Sequence, residues 1–165
     1  MVSRRRVLIG GGALFASMPL SGCGYLPSSG GDFQFEEVVF TAAKPPGPDE
    51  YDPKQQNTYQ RGEDVWVYLE LGYPPTTEDG IAKLTFTFDI ETPYGNTWEP
   101  VVSKKRWEDA DGSILIFWQG LETSAEDELG EYQLSITVDD RVDGEQLSTA
   151  ETFVLEKYSD DVGGN

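Results

Sequence analysis

Apolar and polar residues alternate with a period of two along much of the chain after residue 32, the pattern of strands that bury one face. The clearest case runs from Leu84 to Ile90, where large apolar side chains alternate with Thr and Asp. No stretch beyond residue 32 has the 3.6-residue period of an amphipathic helix. Seven strands are predicted, at residues 33–41, 65–71, 84–90, 101–107, 113–119, 132–138 and 149–156.

The connections between these strands carry turn chemistry, and one of them is long. Gly and Pro punctuate most of the gaps. The proline-rich segment 44–60 is predicted to be a surface excursion rather than a strand. The strand at 101–107 carries Lys104, Lys105 and Arg106, which favours a sheet edge where charge blocks further pairing. Seven short strands with frequent turns predict an all-β, two-sheet sandwich.

One local motif narrows the fold class. The run Glu128-Leu129-Gly130-Glu131-Tyr132-Gln133-Leu134 resembles the tyrosine corner of immunoglobulin-like domains. The resemblance implies that the Tyr132 hydroxyl bonds the upstream backbone while its ring packs in the core. Leu134 stands where antibody domains have a cysteine, so the disulfide-bearing subtype is excluded. The alternative is a plain glycine before an ordinary strand. We therefore expect an Ig-like β-sandwich of about seven strands over residues 32–158.

The first 22 residues have the pattern of an export signal. Basic residues that include Arg4 and Arg5 precede an apolar stretch at 7–20, which is interrupted by three glycines. This stretch is shorter than the roughly 20 residues of a membrane-spanning helix and fits a secretory signal. Adjacent arginines at this place are typical of the twin-arginine (Tat) route, which exports folded proteins.

The end of the apolar stretch predicts a lipid anchor. Leu20-Ser21-Gly22-Cys23 resembles the lipobox of prokaryotic lipoproteins, which implies cleavage between Gly22 and Cys23 and a lipid on Cys23. The alternative is an ordinary signal with an unrelated cysteine. Residues 23–31, rich in Gly, Ser and Pro, then form a flexible tether. The expected location is the extracytoplasmic face of the cell membrane, and residues 159–165 are expected to be a disordered tail.

The part of the chain after Cys23 is strongly acidic. Thirty Asp and Glu residues and nine Lys and Arg residues follow it, a formal net charge of −21. This charge repels phosphate groups and argues against nucleic-acid binding. Four Trp, eight Tyr and eight Phe residues in the whole chain argue against simple disorder. Acidity with few lysines resembles proteins of halophilic archaea, in which molar salt screens such self-repulsion.

The residue types present exclude most catalytic chemistry. The chain has no histidine, and its one thiol is assigned to lipid, so histidine-based triads and zinc sites are excluded. We expect no enzyme activity, cofactor or metal, with a carboxylate-based hydrolase as a distant alternative. Residues 108–113 and 139–144 resemble the start of calcium loops but lack the remaining ligands, so hairpin turns are predicted there.

Aromatic residues provide the one candidate binding surface. Trp66 and Tyr68 share one face of their strand and, together with Trp107, form a candidate platform for a glycan or a surface protein, with Trp98 and Trp118 as further aromatic residues nearby in the sequence. The favoured interpretation is instead that this strand is central and buried on both faces, because such rings usually belong to cores. The predicted function is a membrane-anchored extracytoplasmic binding or structural module. An accessory or chaperone subunit of a surface or transport complex is the alternative.

Overall fold

The computed structural model describes residues 31–158, and within that range the chain is all-β. The predictions for Arg4, Arg5, Gly22 and Cys23, and for the tail at 159–165, lie outside the described residues. One 3-10 turn, Gln55–Asn57, accompanies the strands. The strands are β1 (Gln34–Thr41), β2 (Thr58–Gln60), β3 (Val65–Gly72), β4 (Ala82–Glu91), β5 (Val101–Trp107), β6 (Ile114–Leu121), β7 (Gly130–Asp140) and β8 (Gln146–Glu156).

The strands form the two sheets of a β-sandwich, as the sequence predicts. The smaller sheet has the order β1-β3-β6 and the larger one the order β2-β8-β7-β4-β5. Neighbouring strands are antiparallel except β2 and β8, which are parallel. The polar strand β5 lies at an edge of the larger sheet, which confirms its predicted position.

The alternating apolar residues of both sheets meet in one core. Phe86 of β4 stacks on Phe117 of β6 across the sandwich, with ring centroids 4.1 Å apart. Phe40 of β1 contacts Phe153 of β8 across the sandwich with tilted rings, whose centroids are 5.9 Å apart. Because successive side chains of a strand point to opposite faces, the outward rows remain free to form surfaces.

The tyrosine corner is confirmed. The ring of Tyr132 is fully buried, and its hydroxyl donates a hydrogen bond of 2.7 Å to the carbonyl oxygen of Glu128. Burial is the main cause that raises the pKa of Tyr132 to about 12, and nearby carboxylates add to it. Gly130 has φ of +132°, and a Cβ there would lie 3.0 Å from Pro93, so the corner requires glycine. An Ig-like sandwich follows from the two sheets and this corner.

The excursion at 44–60 contains an eighth strand that the sequence pattern did not predict. Residues 58–60 form β2, which runs parallel to residues 154–156 of β8. Its central residue, Tyr59, is buried, and its hydroxyl donates to the carbonyl oxygen of Thr41 at 2.7 Å. Three residues are too few to display a period of two, and the pairing partner lies far away in the sequence.

The two Asp-Gly turns differ, and one prediction is wrong. Residues 139–144 form the expected hairpin between β7 and β8, in which the Asp140 carboxylate accepts hydrogen bonds from two backbone N–H groups. Residues 108–113 instead connect β5 and β6, which belong to different sheets. The Ala110 N–H donates to the carbonyl of Gly80 at 2.8 Å, so this turn is fixed by a tertiary contact.

Candidate functional site: a tryptophan cleft on the smaller sheet

The outer face of the three-stranded sheet carries large side chains where a solvated face would carry small polar ones. On the central strand β3, Trp66, Tyr68 and Glu70 point outward because Val65, Val67, Leu69 and Leu71 occupy the core. The antiparallel register places Gly120, Trp118 and Ile116 of β6 opposite them, in that order. Two tryptophans thereby become diagonal neighbours on one surface.

Half of this face is covered by the excursion. The Tyr51 ring packs on Tyr68 with centroids 4.3 Å apart, and the Asp49 N–H donates to the Tyr68 hydroxyl at 3.2 Å. The Tyr51 hydroxyl donates to Glu37 of β1 at 2.7 Å, and the Tyr68 hydroxyl donates to Glu70 at 2.9 Å. Tyr68 is therefore fully buried.

Burial shifts the pKa of the polar groups in the covered half of this face. Burial raises the pKa of both Tyr51 and Tyr68 above its usual value, so both phenols remain donors. Burial also raises the pKa of Glu70, and the charges of Glu37 and Asp49 add to this shift. These groups are occupied with holding the excursion on the sheet, which leaves the other half of the face for a ligand.

The uncovered half is a shallow cleft of about 260 Å³ between two half-buried tryptophans. The Trp66 ring lies against Gly120, where a Cβ would approach its Cη2 atom to 2.8 Å, so only glycine permits this position. The rest of the lining is polar and carries both signs of charge: Lys44, Asp64, Gln119 and Glu122. A flat aromatic surface bordered by donors and acceptors suits a ligand with apolar faces and a polar rim.

The three residues of the predicted platform, Trp66, Tyr68 and Trp107, lie in three different environments. Trp66 lines the cleft, but Tyr68 lies beneath the excursion. Trp107 belongs to β5 of the other sheet and packs edge-on against Phe86, with centroids 6.1 Å apart. The ring that does join Trp66 is Trp118, and only the register between β3 and β6 brings the two together. The predicted strand 113–119 is apolar on both faces, so its sequence did not indicate which side chains point outward.

The other candidate sites are a second cleft and a metal site. A second cleft of about 240 Å³ lies beside Trp98, whose ring also packs on Tyr132 at 5.2 Å. Between residues 31 and 158 there is no group of three or more Asp, Glu or Cys side chains placed to hold a metal ion. That same range contains no helix of the length and apolarity needed to cross a membrane.

Comparisons with known proteins assign no family. No family model matches the chain, and no curated protein matches it. Among solved structures, a β-glucuronidase of Bacteroides uniformis has a TM-score of 0.45 at 15% identity, and the match covers 58% of this chain but only 12% of that enzyme. A protein of Arabidopsis thaliana solved in solution has a TM-score of 0.41 at 8% identity, covering 83% of this chain and 93% of that one. Likenesses this distant leave the function of the chain unassigned.

Proposed function

We propose that this protein is an extracytoplasmic binding module, tethered to the membrane by a lipid on Cys23, which binds a surface glycan in the cleft between Trp66 and Trp118. The observation that carries the proposal is the pair of half-buried tryptophans on an outer sheet face. Buried indoles normally complete a core, whereas these two line a cleft outside it.

The lining favours a sugar over a purely apolar ligand. The apolar C–H faces of a sugar ring pack on aromatic rings, and its hydroxyls need neighbouring donors and acceptors. Asp64 and Glu122 supply acceptors, and Lys44 supplies a donor. The Gln119 amide is already engaged, since it accepts from the Ser103 hydroxyl and donates to the Gly120 carbonyl. A neutral glycan suits this lining better than an anionic one, because two carboxylates stand beside a single ammonium group.

A binding titration tests the proposal directly. The full chain, purified in mild detergent, is titrated with a panel of neutral oligosaccharides while tryptophan fluorescence is recorded. Trp118→Ala is expected to weaken binding by about tenfold or more, since truncated tryptophans at binding sites typically cost 2 kcal/mol or more. Tyr94→Ala serves as the control, because Tyr94 is 76% exposed and lies outside the cleft. Equal glycan affinities of Trp118→Ala and Tyr94→Ala would show that the cleft is not the glycan-binding site.

Separate variants test the anchor and the export route. Cys23→Ser is expected to release the protein into the medium or leave it unprocessed, as judged by membrane fractionation and mass spectrometry. The double substitution Arg4→Lys and Arg5→Lys is expected to block export if the twin-arginine route is used. Unchanged membrane retention of Cys23→Ser would contradict lipid anchoring without touching the glycan proposal.

A further inference from the structure

Strand β6 presents an open edge to solvent. It pairs with β3 on one side, and among residues 31–158 no backbone hydrogen bond joins it to another strand or loop on the other side. Its eight residues, Ile114–Leu121, include no charged residue and no proline. Ile114 is 55% exposed. A long apolar edge of this kind is a ready template for another extended chain.

The other three edges of the sandwich are protected, which sets β6 apart. The edge strand β1 has a bulge at Glu36, and the excursion covers its end through a hydrogen bond from the Lys54 N–H to the Phe40 carbonyl at 2.8 Å. The edge strand β2 is only three residues long. The edge strand β5 carries three consecutive basic residues. Bulges, short strands and charges are the usual devices that prevent edge pairing, and β6 has none of them.

The neighbourhood of β6 defines what could pair with it. The outward row of β6 is Ile114, Ile116 and Trp118, so an added strand would place apolar side chains beside them. The second row of side chains of the added strand would point toward the flank between the two sheets, close to β5. There the Ser103 hydroxyl donates to the Gln119 side chain at 2.9 Å, and the Lys105 ammonium lies 5.8 Å from the centre of the Phe117 ring.

Among the residues that the structure describes, Lys105 has no acidic partner, although the molecule is strongly acidic. Within residues 31–158 the ion pairs are Lys54 with Glu63 and Arg106 with Glu108, so Lys104 and Lys105 are in neither. Of these two, Lys105 points toward the flank, since it lies opposite the buried Leu84, whereas Lys104 points to the outer face of the larger sheet. The flank beside β6 therefore carries one ammonium group that has no ion-pair partner among the described residues. Charge complementarity favours acidic residues in the row of an added strand that faces this flank.

We infer that β6 is a strand-addition site for an extended segment of another protein in which apolar and acidic residues alternate. Backbone hydrogen bonds along the open edge supply affinity, and the two rows of side chains supply selectivity. A second copy of this chain fits poorly, because antiparallel pairing of two β6 strands would bring two Lys105 ammonium groups to one flank. The site is distinct from the glycan cleft except that Trp118 and Gln119 border both.

A designed peptide tests the inference. The probe is an acetylated and amidated (Glu-Val)4 peptide with a fluorescent label, titrated by anisotropy into the full chain in mild detergent at a salt concentration that keeps it folded. A (Lys-Val)4 peptide has the same apolar row and the opposite charge. The net charge of −21 attracts the Lys peptide at long range, but salt screens this attraction more than a close contact with Lys105. At high salt the Glu peptide is therefore expected to bind about tenfold more tightly than the Lys peptide.

Variants locate the contact. Lys105→Glu is expected to weaken binding of the Glu peptide by about tenfold and to improve binding of the Lys peptide. Lys83→Glu makes the same charge change on β4, and the affinity is expected to change much less. Ile116→Lys places a charge on the open edge and is expected to abolish binding, and circular dichroism checks that this variant is folded.

Defined results would overturn the inference. A Glu peptide in which every backbone amide is N-methylated keeps its charges but has no N–H group to donate on either edge, so equal binding of this peptide would exclude strand addition. Equal effects of Lys105→Glu and Lys83→Glu would mean that only net charge matters. Dimers abolished by Ile116→Lys would show that a second copy is the occupant. None of these results depends on whether the tryptophan cleft binds a glycan.

Discussion

Replacing Tyr132 by phenylalanine tests the tyrosine corner with the smallest available change. The substitution removes one oxygen atom and leaves the ring stacked on Phe153, whose centroid lies 5.0 Å away. What is lost is the 2.7 Å hydrogen bond to the Glu128 carbonyl, which ties the connection before β7 to the strand itself.

The magnitude follows from burial. A neutral hydrogen bond contributes about 1 kcal/mol net, and a buried acceptor left without its donor adds to the loss, so the expected destabilisation is about 1–2 kcal/mol. For a domain of this size 1 kcal/mol corresponds to about 4 °C, so the melting temperature is expected to fall by about 4–8 °C. The control Tyr94→Phe alters a side chain that is 76% exposed and is expected to change stability by less than about 0.5 kcal/mol.

The pH dependence provides a second signature of the same hydroxyl. The folded pKa of about 12 lies above the usual tyrosine value of 10.0, so folding favours the protonated phenol. This contribution is complete below pH 10 and is lost as the pH rises toward 12. The wild-type protein therefore loses this contribution between pH 10 and pH 12, and Tyr132→Phe does not. The difference between their free energies of unfolding, the stability gap, becomes smaller as the pH rises. Urea unfolding at pH 8 and pH 11 measures the gap. A melting temperature equal to that of Tyr94→Phe, with a gap independent of pH, would refute the reasoning.

Three further predictions concern the smaller sheet and the net charge. Gly120→Ala forces the Trp66 ring to move and is expected to cost about 1–2 kcal/mol, with a shift in tryptophan emission as the readout. Glu70→Gln is expected to raise stability at pH 7, because the raised pKa of Glu70 means that its charged form is disfavoured on folding, and urea unfolding at pH 4 should show the gain diminish. Dilution from molar to millimolar salt is expected to unfold the domain through self-repulsion, because the chain after Cys23 carries a net charge of −21, and an unchanged circular dichroism spectrum in dilute buffer would contradict this.

The sequence was sufficient to predict those features that depend on residues close together in the chain. Strand β4 was predictable because its alternation follows directly from one face being buried and the other being wet. The corner at Tyr132 was predictable for a related reason, since glycine, tyrosine and the accepting carbonyl lie within five residues of each other. The edge position of β5 followed from its charges, which no central strand accommodates.

The candidate site could not be predicted in the same way. Trp66, Tyr68 and Trp107 are chemically suitable, but whether a ring is exposed depends on what covers it. Tyr68 is covered by a loop whose docking rests on Tyr51, a contact that no period in the sequence reports.

What the sequence by itself determined was therefore the class of fold, most of the strands, the corner and the acidity, because each depends on neighbouring residues or on composition. Only the tertiary structure decided that β2 pairs with β8, that residues 108–113 cross between sheets, and that Trp118 joins Trp66. These features depend on register and on contacts between distant segments, whose free energy comes from the packed whole rather than from any one stretch of chain.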